Sequence, residues 1–167
     1  MILVLQILVS VIFFANKVLV LAEKKVGWLL GAVAATFGVF YFYLIGLYVY
    51  TALEVGLIIL MGYGFLKKDH KNPAMETVIR LVTIAVMLAL AYFAFSGMIT
   101  IVELGSSLGL LLGTFFLTHR QQKTGWILYV LAHVLAAYLG YNKGQQFFAD
   151  FQIASAIVCI VGAMKRH

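Results

Sequence analysis

Long apolar runs separated by short polar breaks dominate this 167-residue chain. A helix needs about 20 apolar residues to cross a bilayer. The runs are continuous and lack the period-two alternation of a membrane β-barrel. The pattern therefore predicts an all-α membrane protein with seven transmembrane helices, at 2–21, 27–47, 49–66, 77–96, 99–117, 125–141 and 147–164.

Positive charges are concentrated in alternate breaks between these runs. If seven helices alternate in direction, the breaks after the first, third, fifth and seventh lie on one side of the membrane. Lys143 falls on the other side, and Lys17, near the end of the first helix, can snorkel toward the positive side. The positive-inside rule then predicts an N-terminus outside and a C-terminus in the cytoplasm. The positive side holds Lys24, Lys25, Lys67, Lys68, Lys71, Arg80, Arg120, Lys123, Lys165 and Arg166.

An internal repeat appears when the chain is shifted by 98 positions without gaps. The pattern Lys-x-Gly-Trp-x-Leu occurs at 25–30 and again at 123–128. Each copy holds three helices and the fourth helix has no mate, which predicts a 3+1+3 arrangement of parallel repeats, as in the SWEET sugar transporters. The predicted units are a first triple-helix repeat at 1–69, a loop and linker helix at 70–98, and a second triple-helix repeat at 99–167. Further coinciding pairs are Tyr43 with Tyr141, Gly46 with Gly144, Glu54 with Gln152, Gly64 with Gly162, and Lys67 with Lys165.

The composition of the chain limits the classes of protein to which it can belong. The chain is 64% apolar and 11% charged, more apolar than a soluble domain of this size can bury. Its net charge of +6 comes from the breaks, as a topology signal does, so we expect no nucleic-acid partner. The single cysteine, Cys159, lies in an apolar run and is interpreted as a small buried hydrophobe. No nucleotide loop, nucleophile triad or zinc spacing is present, so we expect no enzyme activity, cofactor or metal.

Three candidate binding residues share one face of the sixth helix. Trp126, Tyr129 and His133 are spaced by three and four positions. Two aromatic rings and an imidazole form a suitable wall for a planar heteroaromatic ligand. The alternatives are an interfacial aromatic anchor for Trp126 and an interhelical hydrogen bond for His133.

Further candidates are polar residues inside the other runs, where an ionisable side chain is costly and usually faces a cavity or a partner. Glu54 and Gln152 occupy equivalent repeat positions and are predicted to face each other across the central axis. They would either bind a cationic or hydroxyl-rich ligand or hold the repeats together. Asp150 is placed nearer the outer end as a possible entrance residue, and Glu103 is interpreted as a helix-start residue. The outer ends of helices two and three carry a predicted aromatic belt of Tyr41, Tyr43, Tyr48 and Tyr50.

These residues resemble the PnuC-type vitamin transporters along nearly the whole chain. Ala22-Glu23-Lys24, Gly38, Leu47-Tyr48, Glu54 and Tyr63-Gly64 are similar to the first repeat of that family. Trp126-x-x-Tyr129-x-x-x-His133, Lys143-Gly144, Gln152 and Gly162 are similar to the second. The chain is short for the family, and we expect it to be without the family's additional N-terminal helix.

The resemblance implies a transporter of the bacterial inner membrane. Family members take up nicotinamide riboside by facilitated diffusion, a cytoplasmic kinase traps the product, and relatives carry thiamine or riboflavin. It also implies a homotrimer. The chain departs from the family at expected ligand positions: Tyr129 replaces a tryptophan, His133 an asparagine and Glu54 a glutamine. Nicotinamide riboside and thiamine are both cations with a flat ring, and Glu54 suits either.

Other functions stay open from the sequence alone. A SWEET-type sugar carrier is one, although the repeats hold no proline hinge because the only proline, Pro73, lies in the loop before the fourth helix. A non-transporting membrane partner protein is another, and it would have a dry centre with Glu54 bonded to Gln152. A proton or ion channel through Glu54, His133 and Asp150 is a third.

Overall fold

The computed structural model describes residues 2–67 and 73–165, and within these ranges the chain forms seven α-helices and no strand. Every one of the seven is long and apolar enough to cross a membrane. The predicted all-α class and the number of spans are therefore confirmed. The helices are α1 (Ile2–Leu21), α2 (Lys25–Leu44), α3 (Tyr48–Leu66), α4 (Pro73–Phe95), α5 (Ile101–Thr118), α6 (Gln122–Asn142) and α7 (Gln146–Met164).

Six of the helices form a closed ring. Within each group of three, α2 packs against α1 and α3, and α6 packs against α5 and α7. The ring closes because α1 contacts α7 and α3 contacts α5. Helix α4 lies outside the ring against α3 and α5, and only Ile79, Thr83 and Leu90 of its side chains are buried.

Contacts that are 98 positions apart in the chain repeat the same geometry. A Cβ added at Gly64 would lie 2.6 Å from the ring of Trp28, and one added at Gly162 would lie 2.5 Å from the ring of Trp126. In both places glycine lets a tryptophan of the middle helix pack directly on the backbone of the third helix of its group.

The turns after α2 and α6 also match. Gly46 and Gly144 have φ angles of +74° and +67°, a conformation that glycine adopts without steric cost. The flanking amides make equivalent bonds: Leu47 N–H donates to the carbonyl of Phe42 at 2.9 Å, and Gln145 N–H donates to that of Gly140 at 2.8 Å. Each glycine thus closes a three-residue turn between two apolar runs, although the second helix was predicted to extend to 47 and ends at Leu44.

Helix α4 begins earlier than its apolar pattern predicted. Pro73 was expected in the loop, but it is the first residue of the helix. Proline suits this position because the first helical residues have no intrahelical acceptor for an N–H. Its carbonyl accepts the Thr77 hydroxyl at 2.9 Å. Lys68 and Lys71 of the preceding loop, and Arg166 at the other end of the chain, lie outside the described residues.

The two ends of the bundle differ in composition. At one end, Lys67 donates to the carbonyl of Thr118 at 2.9 Å, and Lys165 pairs with Glu23 at 2.6 Å. We call this the basic end; it gathers Lys25, Lys67, Arg120 and Lys165 around the α1–α2 and α5–α6 turns. The opposite end carries the turns at Gly46 and Gly144, and we call it the tyrosine end after Tyr41, Tyr43, Tyr48 and Tyr50.

Candidate functional site

A small polar cavity lies inside the ring of six helices, and every helix except α4 contributes to its wall. Its volume is about 20 Å³, which is room for roughly one water molecule. The polar part of the wall consists of Lys17, Tyr50, Glu54, Thr114, Tyr129, His133 and Gln152, and the apolar part of Phe13, Phe42, Leu57, Met61, Leu110 and Phe148. We call this the central cavity.

The α6–α7 side of the central cavity is a neutral hydrogen-bonded wall. His133 Nδ1 is 2.5 Å from Oε1 of Gln152, and because an amide oxygen only accepts, Nδ1 carries the proton and donates. The other ring nitrogen, Nε2, is buried and has no hydrogen-bond partner in the described part of the chain. The Tyr129 hydroxyl shares a 2.7 Å bond with Thr114 of α5. Tyr129, His133 and Gln152 therefore line one cavity, and His133 also makes the interhelical bond that was its alternative interpretation.

Glu54 forms the acidic part of the wall. It is only 2% exposed, and its Oε2 has no hydrogen-bond partner among residues 2–67 and 73–165. Gly38 of α2 makes room for it, because a Cβ at that position would lie 3.1 Å from the carboxylate carbon. Glu54 and Gln152 line the same cavity from α3 and α7, but Gln152 is bonded to His133.

Lys17 is a charged cavity residue whose placement the sequence did not predict. Its ammonium was expected to snorkel to the basic end, yet the residue is 2% exposed and lines the central cavity. The reason is the set of partners inside: the ammonium donates to Oδ1 of Asn16 at 2.9 Å and lies 4.3 Å from the centre of the Tyr129 ring. The available signal was the pair Asn16–Lys17, two adjacent polar residues in a run whose other polar residues are only Gln6 and Ser10.

Two predicted site residues lie away from the central cavity. Trp126 is 1% exposed and packs against Gly162, and its indole nitrogen has no partner within the described ranges. It is thus buried between α6 and α7 and is not an exposed interfacial anchor. Asp150 lies at the tyrosine end, where the Tyr141 hydroxyl donates to it. The structure brings Glu54, Tyr129, His133 and Gln152 together and leaves Trp126 and Asp150 outside that group.

The tyrosine end is closed over the central cavity. Phe42 packs against Tyr50 and Phe148, with ring centroids 5.0 and 5.6 Å apart. Two hydroxyls cross between the helix groups: Tyr41 donates to Gln145 at 2.9 Å, and Tyr50 donates to Ser106 at 2.7 Å. The expected aromatic belt is therefore wrong for Tyr41 and Tyr50, which are buried, whereas Tyr43 and Tyr48 are exposed.

The basic end carries an open pocket of about 510 Å³. The barrier between this pocket and the central cavity is thin, since three residues correspond to about 4.5 Å along a helix. On three helices the nearest wall residues of cavity and pocket are three positions apart: Lys17 and Val20, Met61 and Gly64, and Thr114 and Leu117.

Glu103 belongs to a capping box at the start of α5. The Thr100 N–H donates to Oε2 of Glu103 at 2.7 Å, and the Glu103 N–H donates to the Thr100 hydroxyl at 3.2 Å. This confirms its interpretation as a helix-start residue.

Seven span-capable helices, six of which line the central cavity, indicate a multi-pass membrane protein. No family model, no curated protein and no solved structure matches this chain.

Proposed function

We propose that this chain is a passive PnuC-type transporter that takes up a vitamin or nucleoside, with nicotinamide riboside as its substrate, across a bacterial inner membrane. The observation that carries the proposal is the central cavity, which holds a carboxylate, an aromatic face and an imidazole inside an apolar ring of helices. Buried ionisable groups in a membrane helix are costly, face the interior of the bundle and commonly mark substrate or ion pathways. Glu54 would attract the positive ring, and Tyr129 would stack on it.

Matching contacts in the two helix triplets support this function. The paired contacts Trp28–Gly64 and Trp126–Gly162 recur at the offset of 98, and so do the turns at Gly46 and Gly144. In a 3+1+3 protein with parallel repeats, the substrate lies between the two triple-helix units, near the middle of the membrane. The central cavity has residues of both predicted units in its wall, and α4 takes the place of the linker.

The ends of the bundle support an alternating-access mechanism. Aromatic rings and two hydroxyl bonds close the tyrosine end, whereas one helical turn separates the cavity from the basic-end pocket. At about 20 Å³ the cavity is too small for a nucleoside, so this conformation corresponds to an occluded carrier. Binding requires the two units to move apart, and opening toward the basic end disrupts the thinner barrier. By the positive-inside rule that end faces the cytoplasm.

The test is binding and flux with purified protein. Nicotinamide riboside is expected to raise the melting temperature in detergent, and proteoliposomes are expected to take it up saturably without ATP or an ion gradient. Thiamine and riboflavin complete the ligand panel. No stabilisation and no uptake with all three would refute the proposal. Uptake that never saturates and is not accelerated by substrate inside the vesicle would indicate a channel.

A further inference from the structure

Lys17 has a buried cationic side chain for which the proposed transport has no role so far. It is four residues from the end of α1, about 6 Å along the helix, so its four-carbon stem could reach the basic end. Its ammonium instead lies in the central cavity, where a charge is expensive. This position calls for compensating contacts.

The contacts of Lys17 are well defined. Asn16 is fixed in orientation because its Nδ2 donates to the carbonyl of Gly27 at 2.7 Å, which turns its Oδ1 toward the ammonium. Tyr129 is held by its hydroxyl bond to Thr114, and its ring lies 4.3 Å from the ammonium. A cation at this distance from a ring is attracted by the negative face of the π-system.

The ammonium and the Glu54 carboxylate face the same cavity from α1 and α3. In the described part of the chain no direct ion pair joins them, and the bond to Asn16 is the one hydrogen bond that the ammonium makes. Opposite charges that face one buried cavity still attract each other, because little solvent screens them. Lys17 thus neutralises the cavity and takes the aromatic face of Tyr129 at the same time.

We infer that Lys17 is an internal counter-ion that occupies the place of a cationic ligand in the empty carrier and is displaced when the ligand binds. The inference rests on the proposed function, since a cationic flat-ring ligand needs the two groups that Lys17 now uses: the Tyr129 face and the Glu54 carboxylate. The displaced ammonium has a destination. Val20, one turn further along α1, already lines the basic-end pocket, and a snorkelling Lys17 reaches it.

The counter-ion also answers a requirement of passive transport. A carrier that takes up substrate in net amounts must return empty, and a Glu54 carboxylate without a counter-charge would then be enclosed near the middle of the membrane as a buried charge or would have to take up a proton. Lys17 compensates that charge during the empty return, and the ligand does so during the loaded passage. In exchange, the carrier is loaded with ligand in both directions. The empty carrier therefore does not have to return, and Lys17 is not needed.

The experiment compares wild type with Lys17→Met in proteoliposomes, using nicotinamide riboside as the probe. Three quantities are measured: the Kd, net uptake into empty vesicles, and exchange into vesicles preloaded with the probe. We expect Lys17→Met to bind the probe about tenfold more tightly, a difference of about 1.4 kcal/mol, because its competitor is gone. Net uptake should fall about tenfold or more relative to exchange, since an uncompensated charge slows the empty return by such factors.

Two further variants control the experiment. Lys143→Met removes an exposed cation at the tyrosine end, outside the central cavity and the basic-end pocket, and should leave both the Kd and the ratio of net uptake to exchange at wild-type values. Lys17→Arg keeps the charge and strengthens the contact with the ring, so it should preserve the ratio and weaken binding about threefold or more. This variant also decides the question if Lys17→Met does not fold.

The outcomes separate the two proposals. Wild-type exchange combined with an unaltered ratio and an unaltered Kd in Lys17→Met overturns the counter-ion alone, as does an unaltered Kd in Lys17→Arg. Wild-type protein that neither binds nor exchanges nicotinamide riboside, thiamine or riboflavin overturns the proposed function and the counter-ion with it.

Discussion

The two sides of the central cavity differ in charge although both are built from packed triplets of helices. The α1–α3 side supplies a cation and a carboxylate, Lys17 and Glu54. The α6–α7 side supplies neutral groups: Tyr129, His133 and Gln152. At the offset of 98, Glu54 corresponds to Gln152, so related positions carry a charge on one side and an amide on the other. A ligand that uses both sides is therefore bound in one orientation, with its positive group toward α3 and its hydrogen-bonding groups toward α6.

The largest effect on ligand binding is expected when the charge difference between Glu54 and Gln152 is removed. Glu54→Gln gives α3 the same amide that α7 has, and it leaves the Lys17 ammonium without its counter-charge. Loss of a buried charged partner costs about 2–3 kcal/mol, so the Kd for nicotinamide riboside should rise about 100-fold. Titration calorimetry of wild type and variant in the same detergent measures the change.

The matched control is Glu103→Gln, which removes a carboxylate from the capping box outside the cavity. It should leave the Kd unchanged and cost about 1 kcal/mol or less of stability. Equal affinities for wild type and Glu54→Gln would remove Glu54 from the site.

The second largest effect is expected at the glycine–tryptophan contacts that the two helix triplets share. Gly64→Ala places a Cβ 2.6 Å from Trp28, and Gly162→Ala places one 2.5 Å from Trp126. Such overpacking typically costs about 1–3 kcal/mol, and the two costs should be similar if the two units are copies of one design. Unfolding followed by tryptophan fluorescence reports the losses.

Gly62→Ala is the control, because an added Cβ there has no neighbour within 4 Å. A large loss at one of the two tryptophan contacts and none at the other would contradict the equivalence of the units.

The helices were predictable from the sequence because the lipid interior of a membrane offers no hydrogen-bond partners to the backbone. Inside the bilayer, the backbone N–H and C=O groups of a single span must form their hydrogen bonds within a helix. An apolar run of about 20 residues therefore predicts a transmembrane helix. The turns at Gly46 and Gly144 were equally visible, since a positive φ favours glycine. The start of α4 at Pro73 was missed because hydrophobicity does not mark the first turn of a helix.

The site was predictable only in part. Glu54, Tyr129, His133 and Gln152 were found because polar groups in apolar runs are costly and helical spacing places them on inward faces. Lys17 was assigned to the basic end because a lysine near a helix terminus usually snorkels. Its true position depends on its neighbour Asn16, which a bond to Gly27 of α2 orients, and on the Tyr129 ring of α6. Contacts of this kind leave no periodic signal in one sequence.

A smaller effect is expected at the tyrosine end, where the two sides of the ring are joined by hydroxyl bonds. Tyr50→Phe removes the 2.7 Å bond to Ser106, while Ser106 still donates to the carbonyl of Ala132 at 3.1 Å. The loss should be about 1 kcal/mol, enough to shift the balance toward a state open at this end about fivefold. Thermal unfolding measures the first quantity.

Tyr48→Phe is the control, because Tyr48 is exposed and lies outside the central cavity. Its melting temperature should match that of wild type. A Tyr50→Phe protein as stable as Tyr48→Phe would show that the bond to Ser106 does not hold α3 against α5.

The smallest effects on stability are expected at the basic end. There, a lysine from each helix triplet contacts the other triplet. Lys67 of the α3 terminus donates to the carbonyl of Thr118, and Lys165 of the α7 terminus pairs with Glu23. Both side chains reach solvent, so Lys67→Met and Lys165→Met should each cost under about 1 kcal/mol. The pair of Lys165 with the Glu23 carboxylate is screened by salt. The stability difference between wild type and Lys165→Met should therefore shrink between low salt and about 1 M salt, where the screening length is about 3 Å. Thermal unfolding in a single detergent measures this difference. A stability difference that is the same at low and at high salt would mean that the pair with Glu23 does not govern the contribution of Lys165.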